Sequence, residues 1–494
     1  MRLLLKGVFM KKYLLITILM GGFIASSSPS LAASTSPRAS TISPAGIDLK
    51  ETLLTSNIDK SIQKNLQKYL ELLASEKGFS GQVLISKDNQ ILIRQGYGLV
   101  DYEKKIKSTP TTTFSIGSIT KQFTAASIIQ LAEKGLLKFD DPISKYLPTV
   151  PHGKQITIHQ LLTHTSGLYN FKPEELPQFS HLDITNLSYE DLIALIQNKP
   201  LSFKPGTRYE YSNTGYYLLS KIVEEVSGQS FEQYLSEHLF TPAGLLKTSP
   251  SYQLSQKKVE AKGYLGGPVP IQDKIDPIIL NIAAGAGFLS SNVDDLYRWN
   301  KALYSGQIID MNHLALMQGQ SPEMKLIHSY GYGLEFAKDS YGQCYFHGGN
   351  TLGFTAYNGV YPQENTQIII LTNKAYADLA SIKKDLVSIL QGKPVKMPEK
   401  DLIKLTETEL KKYLGTYEIK GLPSAEVVLK NGKLYIQIEN MLSLELKVIS
   451  ENKFAASTMS GISIEFENTK DLTVVTLKAF GKEYTAKKIK SAYN

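Results

Sequence analysis

The chain has 494 residues, 42% of them hydrophobic and 20% charged, with 36 glycines and 21 prolines spread along it. One hydrophobic core stops growing at about 250 to 300 residues, so at least two domains are expected, and this composition excludes disorder, collagen and coiled coil as the main state. The formal charge of +8 falls to +4 when Arg2, Lys6, Lys11 and Lys12 of a removable leader are set aside, which is too little and too scattered to mark a nucleic-acid surface.

That leader has a basic start, an apolar run from Tyr13 to Ile24, and Ser30-Leu31-Ala32 ahead of Ala33. The order is that of a secretory signal peptide over residues 1–32, so the protein is expected to be exported, to a periplasm or outside the cell. The apolar run is shorter than the ~20 residues of a membrane span. Ala33 to Gly46 are rich in Ser, Thr, Pro and Ala, and residues 33–57 are read as a linker. Ile58, Ile62, Leu66, Leu70 and Leu73 recur at helical spacing before Gly78, which predicts a helix and its stop. Gln82 to Ser86 and Ile91 to Gln95 flank Lys87-Asp88-Asn89-Gln90 as a hairpin.

Leu379 to Leu390 predicts one more helix, and Pro394 and Pro398 break the chain after it, which places a domain boundary near residue 395. The expected division is a catalytic domain over 58–393, a linker over 394–400, and a β domain over 401–494. In the last part Ala425 to Lys430, the Asn431-Gly432 turn and Leu434 to Ile438 form a hairpin pattern, continued from Ser443, Ile462, Leu472 and Lys482. A small antiparallel barrel or sandwich is predicted.

The only cysteine, Cys344, allows no intrachain disulfide and is read as buried. No metal motif occurs, and His159 and His164 are five apart, which does not put both rings on one helix face. Dinucleotide and phosphate-loop glycine patterns are also missing, as is a Gly-x-Ser-x-Gly elbow, so no cofactor is expected.

Ser-x-x-Lys places a hydroxyl and an amine one helical turn apart on one face. It occurs five times, starting at Ser61, Ser118, Ser255, Ser381 and Ser450, so context must choose. Ser118 follows the predicted strand Thr113-Phe114-Ser115 and opens a helix carrying Phe123, Ala126 and Ile129. A helix N-terminus favours negative charge on an attacked carbonyl oxygen. The other four lie in polar surroundings and are read as solvated. Two more motifs occur once each: Tyr211-Ser212-Asn213, a phenol beside an amide, and His347-Gly348-Gly349 on a predicted strand, whose glycines let a substrate lie against the strand edge.

With these motifs, and with Phe79-Ser80-Gly81, Leu161 to Leu168, Lys204-Pro205-Gly206 and Gly348 to Phe354, about 300 residues resemble the serine β-lactamase-like family. That family includes class C β-lactamases, DD-carboxypeptidases, D-aminopeptidases and related esterases. The resemblance implies an α+β (α/β) fold, an antiparallel sheet flanked by helices plus an all-helical lobe. It also implies acyl transfer with Ser118 as nucleophile, Lys121 as general base held neutral by burial and nearby positive potential, and Tyr211 passing a proton to the leaving group. The amides of Ser118 and Asn350 would form the oxyanion hole, Asn213 would orient the acyl side, and Gly349 would admit the substrate.

His347 departs from the pattern, because many penicillin-recognising members carry Lys there. A permanent cation anchors a substrate carboxylate, whereas a histidine near its reference value of ~6.5 gains charge only as pH falls. The resemblance therefore implies an exported hydrolase of D-amino-acid peptides or small esters. A class C-like β-lactamase and a non-catalytic penicillin- or ligand-binding envelope protein are the alternatives. The partner is a small-molecule or peptide substrate, with no nucleic acid and no stable membrane span. His164 is read as structural, Trp299 as packing a helix and Tyr345 as core, with Tyr330 and Tyr332 open between cleft and core.

Overall fold

A computed structural model of the chain describes residues 57–171, 188–250, 260–264, 284–320, 329–351, 353–375 and 377–398, then 405–419, 424–438, 442–450, 452–456, 462–467, 474–479 and 482–491. The expected leader, all but the last residue of the first linker, and Ser255 lie outside these. No helix among the described residues is long and apolar enough to cross a membrane.

The predicted first helix is α1 (Asn57–Lys77), and the hairpin after it is β1 (Gly81–Lys87) and β2 (Gln90–Tyr97). Lys87 pairs with Gln90, and the two turn residues Asp88 and Asn89 both take positive φ, as a tight hairpin turn requires. The sheet is completed by β3 (Glu335–Lys338), β4 (Gln343–Thr351), β5 (Phe354–Tyr361) and β6 (Thr366–Thr372). The strand order is β2-β1-β6-β5-β4-β3, with every pairing antiparallel.

Successive strand side chains point to opposite faces, so a strand covered on both sides reads as continuously apolar. Val83, Ile85, Ile368 and Ile370 face one core with Leu66 and Leu70 of α1 and Leu386 and Leu390 of α6 (Leu379–Leu390). Leu84, Ile369 and Leu371 face the other core. Tyr69 ties α1 to α6 by donating to Asp385 at 2.7 Å.

The second core is shared by α2 (Thr120–Glu133), α3 (Ile158–Leu162), α4 (Asn213–Ser227) and α5 (Val293–Tyr304). Helix α2 is buried on nearly every side from Thr120 to Leu131, which makes it a central helix rather than an amphipathic one. Trp299 of α5 stacks on Phe123 of α2 at 4.0 Å and donates from its indole to Gln122 at 2.9 Å, so it packs a helix as predicted.

The C-terminal part is a closed barrel. Its strands β7 (Gly415–Ile419), β8 (Ala425–Lys430), β9 (Lys433–Ile438), β10 (Leu442–Ser450), β11 (Lys453–Ala456), β12 (Ile462–Phe466), β13 (Val474–Ala479) and β14 (Lys482–Ser491) pair in sequence order. Strand β7 closes on β14, which decides between barrel and sandwich. Asn431 and Gly432 turn with φ of 52° and 72°, the left-handed pair that the Asn-Gly dipeptide predicts.

Candidate active site

Ser118 lies in the single turn Gly117–Ile119 that leads into α2. Two glycines let the end of β4 come up against this turn. A Cβ on Gly349 would stand 2.0 Å from the Ile116 carbonyl oxygen, and one on Gly117, at φ +50°, would stand 2.9 Å from the Asn350 nitrogen. Only glycine tolerates either approach.

Strand geometry gives the direction of the Asn350 amide. Successive amides along a strand point to alternate sides. The Gly348 amide is turned away from β5, because it donates to the carboxylate of Glu335 on β3. Two residues on, the Asn350 amide therefore points out of the same edge, past the point where β3 ends. It lies beside Gly117 and Ser118, the place where an oxyanion between the Ser118 and Asn350 amides would sit.

Lys121, one turn after Ser118 and second in α2, is fully buried. Its Nζ lies 2.7 Å from the Ala286 carbonyl oxygen, 2.8 Å from Asn213 Oδ1 and 3.2 Å from Ser118 Oγ. Burial holds its pKa well below the usual 10.5. The nearby charge that acts on it is the Glu335 carboxylate, which pushes the other way, so desolvation and not positive potential is the cause. A neutral amine has two N–H groups and one lone pair. Both carbonyl oxygens can only accept, so they take the two N–H groups, and the lone pair is left facing the Ser118 hydroxyl.

Tyr211 reaches the same hydroxyl: it shares a hydrogen bond with Ser118, and its ring centroid is 4.7 Å from Lys121 Nζ. Burial raises the phenol well above 10, so it keeps its proton. His164 holds this segment from both sides. Its carbonyl accepts from Glu210 at 2.9 Å, its Nδ1 accepts from Ser212 at 3.0 Å, and its ring lies 4.3 Å from that of Tyr211. Asn213 begins α4, exposed beside Lys121, and Asn170 Oδ1 accepts from its amide at 3.0 Å and from Thr214 at 3.2 Å. These contacts cap the orphan amides of a helix start and fix where Tyr211 and Asn213 point.

His347 differs from the expectation that it faces the substrate and gains charge near pH 6.5. The side chain is buried, 2% exposed. Nδ1 lies 2.6 Å from the Gly348 carbonyl and must donate to it, which leaves Nε2 to accept from the Tyr330 hydroxyl at 3.0 Å. Burial, reinforced by Lys121, lowers its pKa to about 3. His347 is a neutral strut under the glycine strand, and Tyr330, left open above, is its buried partner. Tyr332 and Tyr345 are core residues. Cys344 is buried with its Sγ 3.3 Å from the Tyr357 hydroxyl, its thiol pushed up to about 11 by burial.

Ser118, Lys121, Tyr211, Asn213, Gly349 and Asn350 thus converge, whereas Ser61, Ser381 and Ser450 are exposed. Glu335, Asn170 and the Ala286 carbonyl also belong to the site, and no spacing pattern in the sequence pointed to them. His164 had a reading as structural, but its grip on Tyr211 needed the fold. Among the described residues one trio has metal-ligand spacing, Glu133, Asp310 and His313. His313 Nδ1 already lies 2.8 Å from Asp310 and 3.1 Å from Glu133, away from this site.

Comparison with known proteins gives a match of the family described as Beta-lactamase to residues 62–390. Penicillin-binding protein 4* of Bacillus subtilis (strain 168) is 29% identical over 433 residues, covering 82% of this chain and 93% of its own. The putative penicillin-binding protein PbpX of the same organism is 30% identical, covering 67% of this chain and 80% of its own. Among solved structures, the octameric penicillin-binding protein homologue from Pyrococcus abyssi superposes with a TM-score of 0.57 at 28% identity, over 86% of this chain and 99% of its own.

Proposed function

Because this chain belongs to the β-lactamase family of serine hydrolases, we propose that it is an exported enzyme acting through an acyl-enzyme on Ser118, on D-amino-acid-containing peptides of the peptidoglycan type or on small esters. The observation that carries the reading is the buried Lys121 amine, 3.2 Å from Ser118 Oγ and held by the Ala286 carbonyl at 2.7 Å and Asn213 Oδ1 at 2.8 Å. Export rests on the leader sequence.

In acylation, Ser118 Oγ bonds to the substrate carbonyl carbon as its proton passes to Lys121 Nζ. The carbonyl electron pair moves onto oxygen, held by the amides of Ser118 and Asn350. On collapse the bond to the leaving group breaks. Tyr211 gives that group its proton and is resupplied from Lys121, so the net transfer is from Ser118 to the leaving group. Water then cleaves the ester on Ser118 by the reverse sequence of proton transfers.

The names of the two Bacillus relatives support penicillin as a ligand that acylates Ser118. A buried, neutral His347 offers no cation for the penicillin carboxylate, which favours slow trapping over fast turnover. The test is intact mass and peptide mapping after treatment with penicillin or a fluorophosphonate, with hydrolysis of D-alanyl peptides, p-nitrophenyl esters and nitrocefin measured beside Ser118→Ala. An adduct on Ser118 and turnover of a peptide or ester are expected. An adduct on another serine overturns the mechanism, and rapid nitrocefin turnover overturns the choice of substrate.

A further inference from the structure

The carboxylate at the end of β3 has no place in the acylation steps above. Glu335 is the first residue of that strand and pairs with Phe346. Beyond this pair β3 no longer covers β4, and the edge from Gly348 to Asn350 is left for a substrate. Half-buried, Glu335 fills the first slot of that edge by accepting the Gly348 amide.

It also lies on one particular side of Ser118. Its charge acts on Tyr211, Tyr209, Tyr330 and Lys121. On the functional reading above, on which this inference rests, the leaving group must sit beside Tyr211 to receive its proton. The leaving group and the Glu335 carboxylate therefore share one wall of the site. Among the described residues the cation whose charge acts on Glu335 is Lys121, itself held well below 10.5 by burial, and His347, the only basic residue of β4, is lowered to about 3.

We propose that Glu335 sets the leaving-group specificity of this site, so that it accepts leaving groups bearing an ammonium, or no charge, and rejects those bearing a carboxylate. A carboxylate leaving group there would meet a like charge in a poorly solvated cleft, where repulsion is strong, and an ammonium would meet a counter-ion. The selectivity depends on pH. Burial pushes the Glu335 carboxyl up to about 7, against the opposing pull of the Gly348 amide and Lys121. It is charged above that value and neutral below, so rejection of carboxylates strengthens as pH rises through 7. Tyr209, Tyr211 and Tyr330 are all raised and stay neutral across this range.

The experiment uses three N-acetyl-D-alanine esters with the same acyl part, made with glycolate, ethylene glycol and choline. Their leaving groups are anionic, neutral and cationic at every working pH. The readout is the ratio of kcat/KM for the choline and glycolate esters between about pH 5.5 and 8.5. A ratio cancels the ionisation of Lys121 and any general loss of activity, and the neutral ester shows which arm has moved.

The ratio is expected to rise with pH in the native protein, and to fall at least about tenfold at pH 8 and lose its pH dependence in Glu335→Gln. Glu335→Asp, which keeps the charge, should retain most of it. A ratio that is flat with pH in the native protein, or unchanged in Glu335→Gln, overturns the proposal. Equilibrium binding of the same esters to Ser118→Ala, with and without Glu335→Gln, separates the two claims. If no ester is turned over yet choline is still preferred through Glu335, the hydrolase reading fails and the specificity stands. If esters are turned over without charge preference, the reverse holds.

Discussion

The two halves of the molecule fill their interiors differently. The sheet-and-helix part buries Lys121, His347, His164, Gln122, Asp294 and Asp295, whereas the barrel core holds residues such as Tyr417, Val427, Ile436, Phe454, Ile464 and Leu477. Buried polar groups cost free energy unless paired. In the first half they are paired with care: Asp294 takes two bonds from Arg94, at 2.7 and 2.6 Å, and Asp295 accepts from the amides of Lys247 and Thr248 while its own amide donates to Asn292 Oδ1. The difference teaches which half can do chemistry. A displaced base or oxyanion donor needs a polar interior that holds it in place, while a barrel filled by apolar side chains needs only shape.

The largest expected effect, and the sharpest test of that contrast, is at the reacting pair. Ser118→Ala should abolish the covalent adduct, and Lys121→Ala should lower acylation by a similar factor, about 10³ or more, with the double variant no worse than either single one. Acylation rates followed by intact mass check this. Additive losses would mean that the two residues do not act as a unit.

Next comes the junction of β4 with the serine turn. Gly349→Ala puts a methyl 2.0 Å from the Ile116 carbonyl, so the strand must back away and carry the Asn350 amide with it. Acylation should fall about 10²- to 10³-fold, the size of a lost oxyanion donor. Gly348→Ala is a control on the same strand, where the nearest atom to the new Cβ is 3.9 Å away. Its loss should be far smaller.

The pH profile gives a further test within the polar half. The base acts when neutral, so kcat/KM falls as pH drops through the Lys121 pKa. Burial lowers that pKa, and the acid limb should therefore lie well below 10.5. His347, lowered to about 3, should show no protonation in NMR titration between pH 5 and 8. A histidine signal assigned to residue 347 that titrates near 6.5 would contradict its burial.

The smallest effect on activity is expected from the barrel. Phe454→Ala removes a fully buried ring packed edge-on against Phe466 at 5.6 Å and should cost the barrel about 3 to 5 kcal/mol. Removal of residues after 398 should leave the catalytic part folded. Ester hydrolysis by both variants should stay within about threefold of the native rate, because changes far from a site perturb it little. Loss of the catalytic part's own unfolding transition on truncation would show that the two halves share one cooperative unit.

How much was legible in the sequence follows from how local each feature is. The first helix, both Asn-containing turns and α6 were legible because periodicity and turn residues act within a few positions. Ser118 and Lys121 were legible for the same reason, since four consecutive residues at the turn into α2 carry the motif. His347 was found but misjudged, because its charge depends on burial and on Tyr330, not on its neighbours in the chain. Glu335, Asn170 and the Ala286 carbonyl were not legible, since each matters only through a partner far along the chain.

The sequence by itself determined the local elements, the change of texture near residue 395 and the identity of the groups that meet at Ser118. Only the tertiary structure decided how β1 pairs with β6, where the Ser80 carbonyl accepts from Thr372 Oγ1 292 residues on. The same holds for the closure of β7 on β14 and for the ionisation of Lys121, His347 and Glu335. The physical reason is common to all of these. Strand pairing and desolvation are properties of surfaces brought together by the whole chain, and a pKa responds to the water that folding removes.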